Sequence, residues 1–158
     1  MKSIELRLAT PDQLAAILSI ARAWPTHFVP AGLEAIAADF ERASAIVAKT
    51  DEGVSGFLIW SADAESIEIL WMAVDPRYSR KGIGRSLVDA VVAQSPGASA
   101  MVVKTATLDS RLAGTQLDGT DFEGTHRFFQ AMGFTPMEVA QAHWSPHNHA
   151  LILRRSLD

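Results

Sequence analysis

The sequence predicts an α/β fold in which a mixed, mostly antiparallel sheet is flanked by helices, and three observations carry that reading. First, Ile67 to Val74 is apolar on both faces except at Glu68, the mark of a central strand covered on both sides. Asp75-Pro76 ends it, because proline cannot donate to a strand ladder. Second, a basic, glycine-punctuated loop follows and opens a helix: Ile83, Leu87, Val88, Val91 and Val92 recur at helical spacing, with Arg85 and Asp89 paired four apart on the polar face. Third, the strands on either side connect differently. Ala45 to Lys49, Val54 to Trp60 and the Glu68 strand are joined by short turns and make an antiparallel meander, whereas the helix to Gln94 crosses over to Ala100 to Thr105, which should run parallel to the Glu68 strand.

The remaining elements follow in order. Ile4 to Ala9 alternates apolar and polar residues and reads as a first strand. Thr10-Pro11-Asp12-Gln13 supplies an N-cap, a proline at the first helical position and a Gln placed to close a capping box. A helix through Leu14, Ile17, Leu18 and Ala21 stops before Pro25, and a short second helix carries Leu33, Ile36, Ala37 and Phe40. The connection Trp24-Pro25-Thr26-His27-Phe28-Val29-Pro30 is rigid and aromatic, so it has something to cover. Residues 106 to 121 lack periodicity and read as a long loop. Phe122 to Met132 reads as a helix closed by Gly133, and two last strands, Met137 to Ala142 and Ala150 to Arg154, flank a loop containing Trp144.

Composition bounds the function. With 158 residues, 48% of them hydrophobic, the chain is long enough for one domain, 1–158, with its own core. The absence of cysteine excludes disulfides and thiolate chemistry. Neither a signal peptide nor an apolar run of membrane length is present, so a cytoplasmic protein without membrane partners is expected. A net charge of -4 and a pI of about 5.7 argue against nucleic acid as a partner.

Against that acidic background, Arg77, Arg80, Lys81 and Arg85 cluster beside the first turn of the Gly82 helix. The orphan N–H groups there form a positive pole, and glycines at 82 and 84 let a ligand approach the backbone. A polyphosphate fits. The dinucleotide fingerprint and the P-loop do not: one needs glycine where Leu87 stands, the other Lys then Ser or Thr where Ile83 and Gly84 stand.

The stretch resembles motif A of the GNAT acetyltransferases, Gln/Arg-x-x-Gly-x-Gly/Ala, in Gly82 and Gly84, with Val74-Asp75-Pro76 before and Arg85-Ser86-Leu87-Val88 after. Ser79 stands where the family usually has Gln or Arg. Phe128-Phe129 before Gly133-Phe134 resembles the second half of the family signature, and the likeness spans most of residues 45 to 154.

The resemblance implies a GNAT-like acyl-CoA N-acyltransferase fold and an acetyl-CoA-dependent N-acetyltransferase acting by direct transfer to a small-molecule or peptide amine; it is compatible with a homodimer. It implies that Arg80, Lys81, Gly82, Ile83, Gly84, Arg85 and Ser86 hold acetyl-CoA, that main-chain N–H groups of Met72, Ala73 and Val74 polarise the thioester, and that Phe129 lies along the cofactor. It extends the acceptor wall to Trp24, His27 and Phe28, aromatic residues that packing under the helices would explain equally well. The family's general acid is often a Tyr at the position of Phe129, and the only tyrosine here is Tyr78, in the phosphate loop.

Glu68 is the candidate base. By strand alternation it shares a face with Leu70, Met72 and Val74, and burial in apolar company without a partner would raise its pKa toward neutrality. In the histone-acetylating branch of the family the basic Glu stands fourteen residues before the first motif glycine, the separation of Glu68 from Gly82. A strand-edge Glu reaching solvent is the competing reading. His143, His147 and His149 have metal-like spacing, but no Cys or carboxylate accompanies them in their loop, so no metal is expected; Asp118, Asp121 and Glu123 read as a solvated face. The alternative function is a GNAT-fold module that binds or senses acyl-CoA with weak or no catalysis.

Overall fold

The structure, a computed structural model, describes residues 3–25, 27, 28, 30–107, 122–145 and 148–157. Of the segments singled out in the sequence, Thr26, Val29, the loop residues 108–121 with Asp118 and Asp121, and Pro146 and His147 lie outside them. The chain divides into two compact units, Met1–Ala98 and Ser99–Asp158.

The first unit holds strand β1 (Glu5–Leu8), helices α1 (Leu14–Arg22) and α2 (Pro30–Arg42), strands β2 (Ser44–Thr50), β3 (Gly53–Ala62) and β4 (Ser66–Val74), and helix α3 (Ile83–Gln94). The four strands pair antiparallel in sequence order, as the meander predicts. Before α1, the expected capping box forms: Thr10 N–H donates to Gln13 Oε1 at 2.8 Å and the Thr10 side chain, which also bonds Asp12, meets the Gln13 backbone. Helix α2 is 13 residues long, longer than its apolar pattern suggests, because Pro30 opens it and Arg42 closes it.

The α1/α2 pair covers one face of this sheet. Ile17, Ile20, Ala21 and Ile36 pack on Val47, Phe57, Ile59 and Ala73, with Leu70 and Trp71 against the same cluster. Helix α3 covers the opposite face, where a Cβ on Gly56 would lie 3.1 Å from Ile83 Cγ2 and 3.3 Å from Leu87 Cδ1.

Among the described residues of this unit, two bulges interrupt the strand pairing. Ser55 on β3 is skipped between the pairs Ala48↔Gly56 and Lys49↔Val54. Leu70 on β4 is skipped between Ile59↔Trp71 and Trp60↔Ile69. The second bulge corrects the face assigned to Glu68. Because one residue is added, alternation reverses across Leu70, so Glu68 shares its face with Leu70, Trp71 and Ala73, whereas Met72 and Val74 turn to the opposite side.

The second unit contains β5 (Ala100–Ala106), α4 (Glu123–Ala131), β6 (Thr135–Ser145) and β7 (Asn148–Ser156), with β7 antiparallel to both other strands. Helix α4 ends in a Schellman turn: Gly133 has φ +93°, its N–H donates to Gln130 O at 3.0 Å, and Phe134 N–H donates to Phe129 O at 3.0 Å. The Phe134 ring packs on Phe129, 5.2 Å between centroids. Trp144 falls within β6 instead of a loop. The strand runs on through an irregular stretch between Ala140 and Ser145, where Ala142, at φ +51°, donates its N–H to His149 Nδ1 at 2.8 Å.

Gly56 sets how closely α3 lies on the sheet. Gly56→Val should push Ile83 and Leu87 outward and destabilise the protein by about 1–3 kcal/mol, read as a lower midpoint in chemical denaturation.

Candidate active site

The site is built at the C-terminal end of β4. Asp75 N–H donates to the carbonyl of the bulged Ser55 at 2.8 Å, which fixes where the strand stops. Ser55 itself is fully buried, and its hydroxyl is satisfied by Ala48 O at 3.1 Å. Asp75 then accepts from Arg77 N–H at 2.9 Å and pairs with the Arg77 guanidinium at 2.9 Å, closing a tight 3-10 turn over Pro76–Tyr78. The side-chain hydrogen bond from Arg77 is the main reason the Asp75 carboxyl is held below its ordinary range.

The basic loop is therefore differentiated. Arg77 is committed to Asp75. Lys81 Nζ sits 5.6 Å from the centre of the Tyr78 ring, whose hydroxyl donates to Glu52 on the β2–β3 turn. Arg80 is exposed and adopts φ +61°, a left-handed conformation that favours glycine. Gly82, the N-cap of α3, has φ +80°, and no atom lies within 4 Å of where a Cβ would stand.

The first bond of α3 runs from Ser86 N–H to Gly82 O at 3.0 Å, so the N–H groups of Ile83, Gly84 and Arg85 precede the helix's own ladder. The Ile83 side chain is 1% exposed and belongs to the core, leaving only its backbone for a ligand. Arg85 is exposed, and Gly84 and Ser86 are half-buried. Chemically, this is a cradle of backbone donors at a helix N-terminus with Arg80, Lys81 and Arg85 around it, suited to an oxyanion.

On the α1/α2 face of β4 lies a second group. Trp24 donates its indole N–H to Val74 O at 2.7 Å, tying the helix connection to the strand end. The His27 ring meets Trp24 edge-on at 5.7 Å, and Phe28 lies 6.2 Å from Trp71, so the three aromatic candidates from the α1–α2 connection converge on the end of β4. Trp71 donates its indole N–H to Asp39 Oδ2 at 2.7 Å, and Asp39 also pairs with Arg42.

Glu68 is half-buried on this same face and borders a recess of about 200 Å³ with Ser61, Ala62, Asp63 and Ser66. The backbone N–H of Glu65, then that of Ser66, keeps the Asp63 carboxyl below its ordinary range. Met72 and Val74 are half-buried and Ala73 is buried. In the second unit, the Phe129 ring is 5% exposed, with Phe128 and Phe134 packed edge-on against it.

The model of the acetyltransferase (GNAT) domain matches residues 41–136. The chain belongs to the GNAT acetyltransferase family. No curated protein matches the sequence. Solved structures share the fold at low identity. A GNAT-family acetyltransferase from Desulfovibrio desulfuricans superposes with TM-score 0.82 at 18% identity, covering 99% of this chain and 100% of its own. An aminoglycoside 6'-N-acetyltransferase complexed with coenzyme A gives 0.75 at 15%, covering 98% and 97%. A GNAT acetyltransferase from Elizabethkingia anophelis with acetyl-CoA bound gives 0.71 at 16%, covering 98% of each. The seven strands and flanking helices thus form the GNAT fold that motif A implies. Among the described residues no helix is long and apolar enough to cross a membrane.

Trp71 and Asp39 were not among the sequence candidates for this GNAT site. Trp71 hides in an apolar strand run. Asp39, three residues from Ile36 and one before Phe40, gave a usable signal: an acid on the sheet-facing side of a helix needs a partner there.

Two expectations follow. Arg80→Gly should relieve the left-handed strain and stabilise the protein by about 1 kcal/mol, measurable by denaturant titration. Asp75 has a lowered carboxyl pKa, so its pairing with Arg77 contributes stability above the ordinary value of 3.8 and loses it as pH falls through the folded pKa. The stability gap between wild type and Arg77→Met should therefore be full at pH 7 and shrink in acid below about 3.8, followed by denaturation at a series of pH values.

Proposed function

We infer that this GNAT protein is an acetyl-CoA-dependent N-acetyltransferase that moves the acetyl group directly to a small-molecule or peptide amine, the chain working as one domain. The observation that carries the reading is the open backbone cradle at the N-terminus of α3, with Gly82 at φ +80° and free space at its Cβ position. The aminoglycoside enzyme and the Elizabethkingia protein, which share the fold, hold coenzyme A and acetyl-CoA.

Bound acetyl-CoA would supply an activated acetyl thioester. The N–H groups of Ile83, Gly84 and Arg85 would bind its pyrophosphate, with Arg80, Lys81 and Arg85 adding charge and Ser86 bordering the cradle. Backbone N–H groups of the Met72, Ala73 and Val74 stretch would polarise the thioester carbonyl. Glu68, directly or through a water, would accept the proton from the acceptor ammonium, and the Trp24, His27 and Phe28 wall would enclose the acceptor.

The test is release of free thiol from acetyl-CoA across amines, polyamines, amino acids and peptides. Turnover is expected with at least one amine class, and Glu68→Gln should lower it on the order of 10²-fold near neutral pH while acetyl-CoA affinity holds. That loss should shrink as pH rises and free amine accumulates. Gly82→Val should abolish CoA binding with the fold retained, since a β-branched residue resists φ +80° and fills the cradle.

Phe129 favours one second reading, a module that binds acyl-CoA without turnover: a buried phenyl ring offers no proton to a departing thiolate. CoA binding with no thiol released by any amine would establish it. Full activity in Glu68→Gln across the pH range would overturn the catalytic mechanism.

A further inference from the structure

The bulge at Leu70 does more than turn Glu68 toward the α1/α2 helices. It places Trp71 on that same face, between Glu68 and the Met72 to Val74 backbone. From Glu68 to Met72 the strand spans at most about 13 Å, and the bulge shortens it. If, as proposed above, the amine nitrogen is held between the base at one end and the thioester at the other, its path runs over the two residues between them on that face, Leu70 and Trp71, of which Trp71 alone carries a π system.

That residue is a partly buried indole whose orientation is set twice. Asp39 Oδ2 accepts its N–H at 2.7 Å, and Phe28 packs against it at 6.2 Å. The Asp39 side chain is only 13% exposed, and Arg42 holds its other oxygen, so the acceptor of the indole proton is itself fixed. An indole held through its N–H by a fixed carboxylate and packed against Phe28 is restrained from turning.

We propose that Trp71 is the acceptor-positioning residue, that Asp39 is a positioning residue acting through it, and that the acceptor is an amine that arrives as a cation. The π face of Trp71 attracts an ammonium and Glu68 adds negative charge beside it; neither favours a neutral aromatic amine. This rests on the N-acetyltransferase reading, yet the surface it describes binds cations whether or not turnover occurs.

The experiment therefore has a binding arm and a kinetic arm. In the first, the CoA-loaded protein is titrated with choline and with dimethylbutanol, its neutral carbon isostere, following tryptophan fluorescence or calorimetry. Choline should bind about tenfold more tightly, and the preference should vanish in Trp71→Leu and fall partway in Trp71→Phe, which keeps a weaker π face. No preference in the wild type, or a preference that survives Trp71→Leu, overturns the proposal. Should Trp71→Leu fail to fold, Trp71→Phe decides, with an undiminished preference counting against the idea.

In the second arm, KM for the best amine should rise about tenfold in Asp39→Ala and recover in Asp39→Asn, whose amide oxygen can still accept the indole proton, while KM for acetyl-CoA stays within about twofold. Equal shifts in both KM values would reduce Asp39 to a structural residue. Thiol release that is indifferent to Trp71 would sink this proposal alone. Absence of thiol release with every amine would sink the enzyme reading and leave the choline preference to decide here.

Discussion

One extra residue in β4 decides that Glu68 shares a face with Trp71 and Ala73. Without the bulge at Leu70, strand alternation would put Glu68 on the same side as Met72 and Val74, under α3, and away from Trp71 and Ala73. With it, the apolar contacts of Leu70, Trp71 and Ala73 join the α1/α2 core, and Glu68 lies on that face too. The rest of the arrangement presupposes this side: Trp24 reaches the Val74 carbonyl from it, and Asp39 reaches Trp71 from it.

The bulge at Ser55 lies beside the other end of β4. Ser55, left out of the β2–β3 register, accepts the Asp75 N–H on its carbonyl, one residue past the last β3–β4 pair, Gly56↔Val74, where the chain leaves the sheet. From there the charges of the loop are sorted by neighbours and not by sequence. Arg77 is matched by Asp75, and Lys81 is drawn over Tyr78, which Glu52 holds from the hairpin turn. The cationic field beside α3 is thus set chiefly by Arg80, Lys81 and Arg85, close to the orphan N–H groups where a phosphate would be bound, even though the protein is acidic as a whole.

What the sequence revealed follows from how local each signal is. The positive pole at Gly82, the glycine end of α4 at Gly133 and the antiparallel meander all depend on residues near one another in the chain, and each is legible in the order of the amino acids. The bulge is not. Leu70 is an ordinary apolar residue in an apolar run, and its omission from the register is decided by how the residues around it pair with Ile59 and Trp60, so the sequence alone assigns Glu68 to the wrong face. Trp71 and Asp39 were missed for the same reason: their relation spans 32 residues and exists only once α2 lies on β4. The extension of β6 past Ala142 accompanies a contact across the β6–β7 hairpin, the Ala142 N–H donating to the His149 ring seven residues on.

The chemistry expected of this family makes these demands unequal. An alkyl ammonium with a pKa of about 10.4 must lose a proton before it can attack, whereas a thiol of pKa about 8.5 leaves tolerably well as thiolate. A chain that carries phenylalanine at position 129, with that ring closed into the core of the second unit, can dispense with a side-chain acid far more readily than with a base. A bulge, two anchored indoles and a half-buried carboxylate are gathered along the α1/α2 side of β4. The cradle at α3 asks less of the sequence, because backbone N–H groups at a helix start are available to any chain that can place two glycines there.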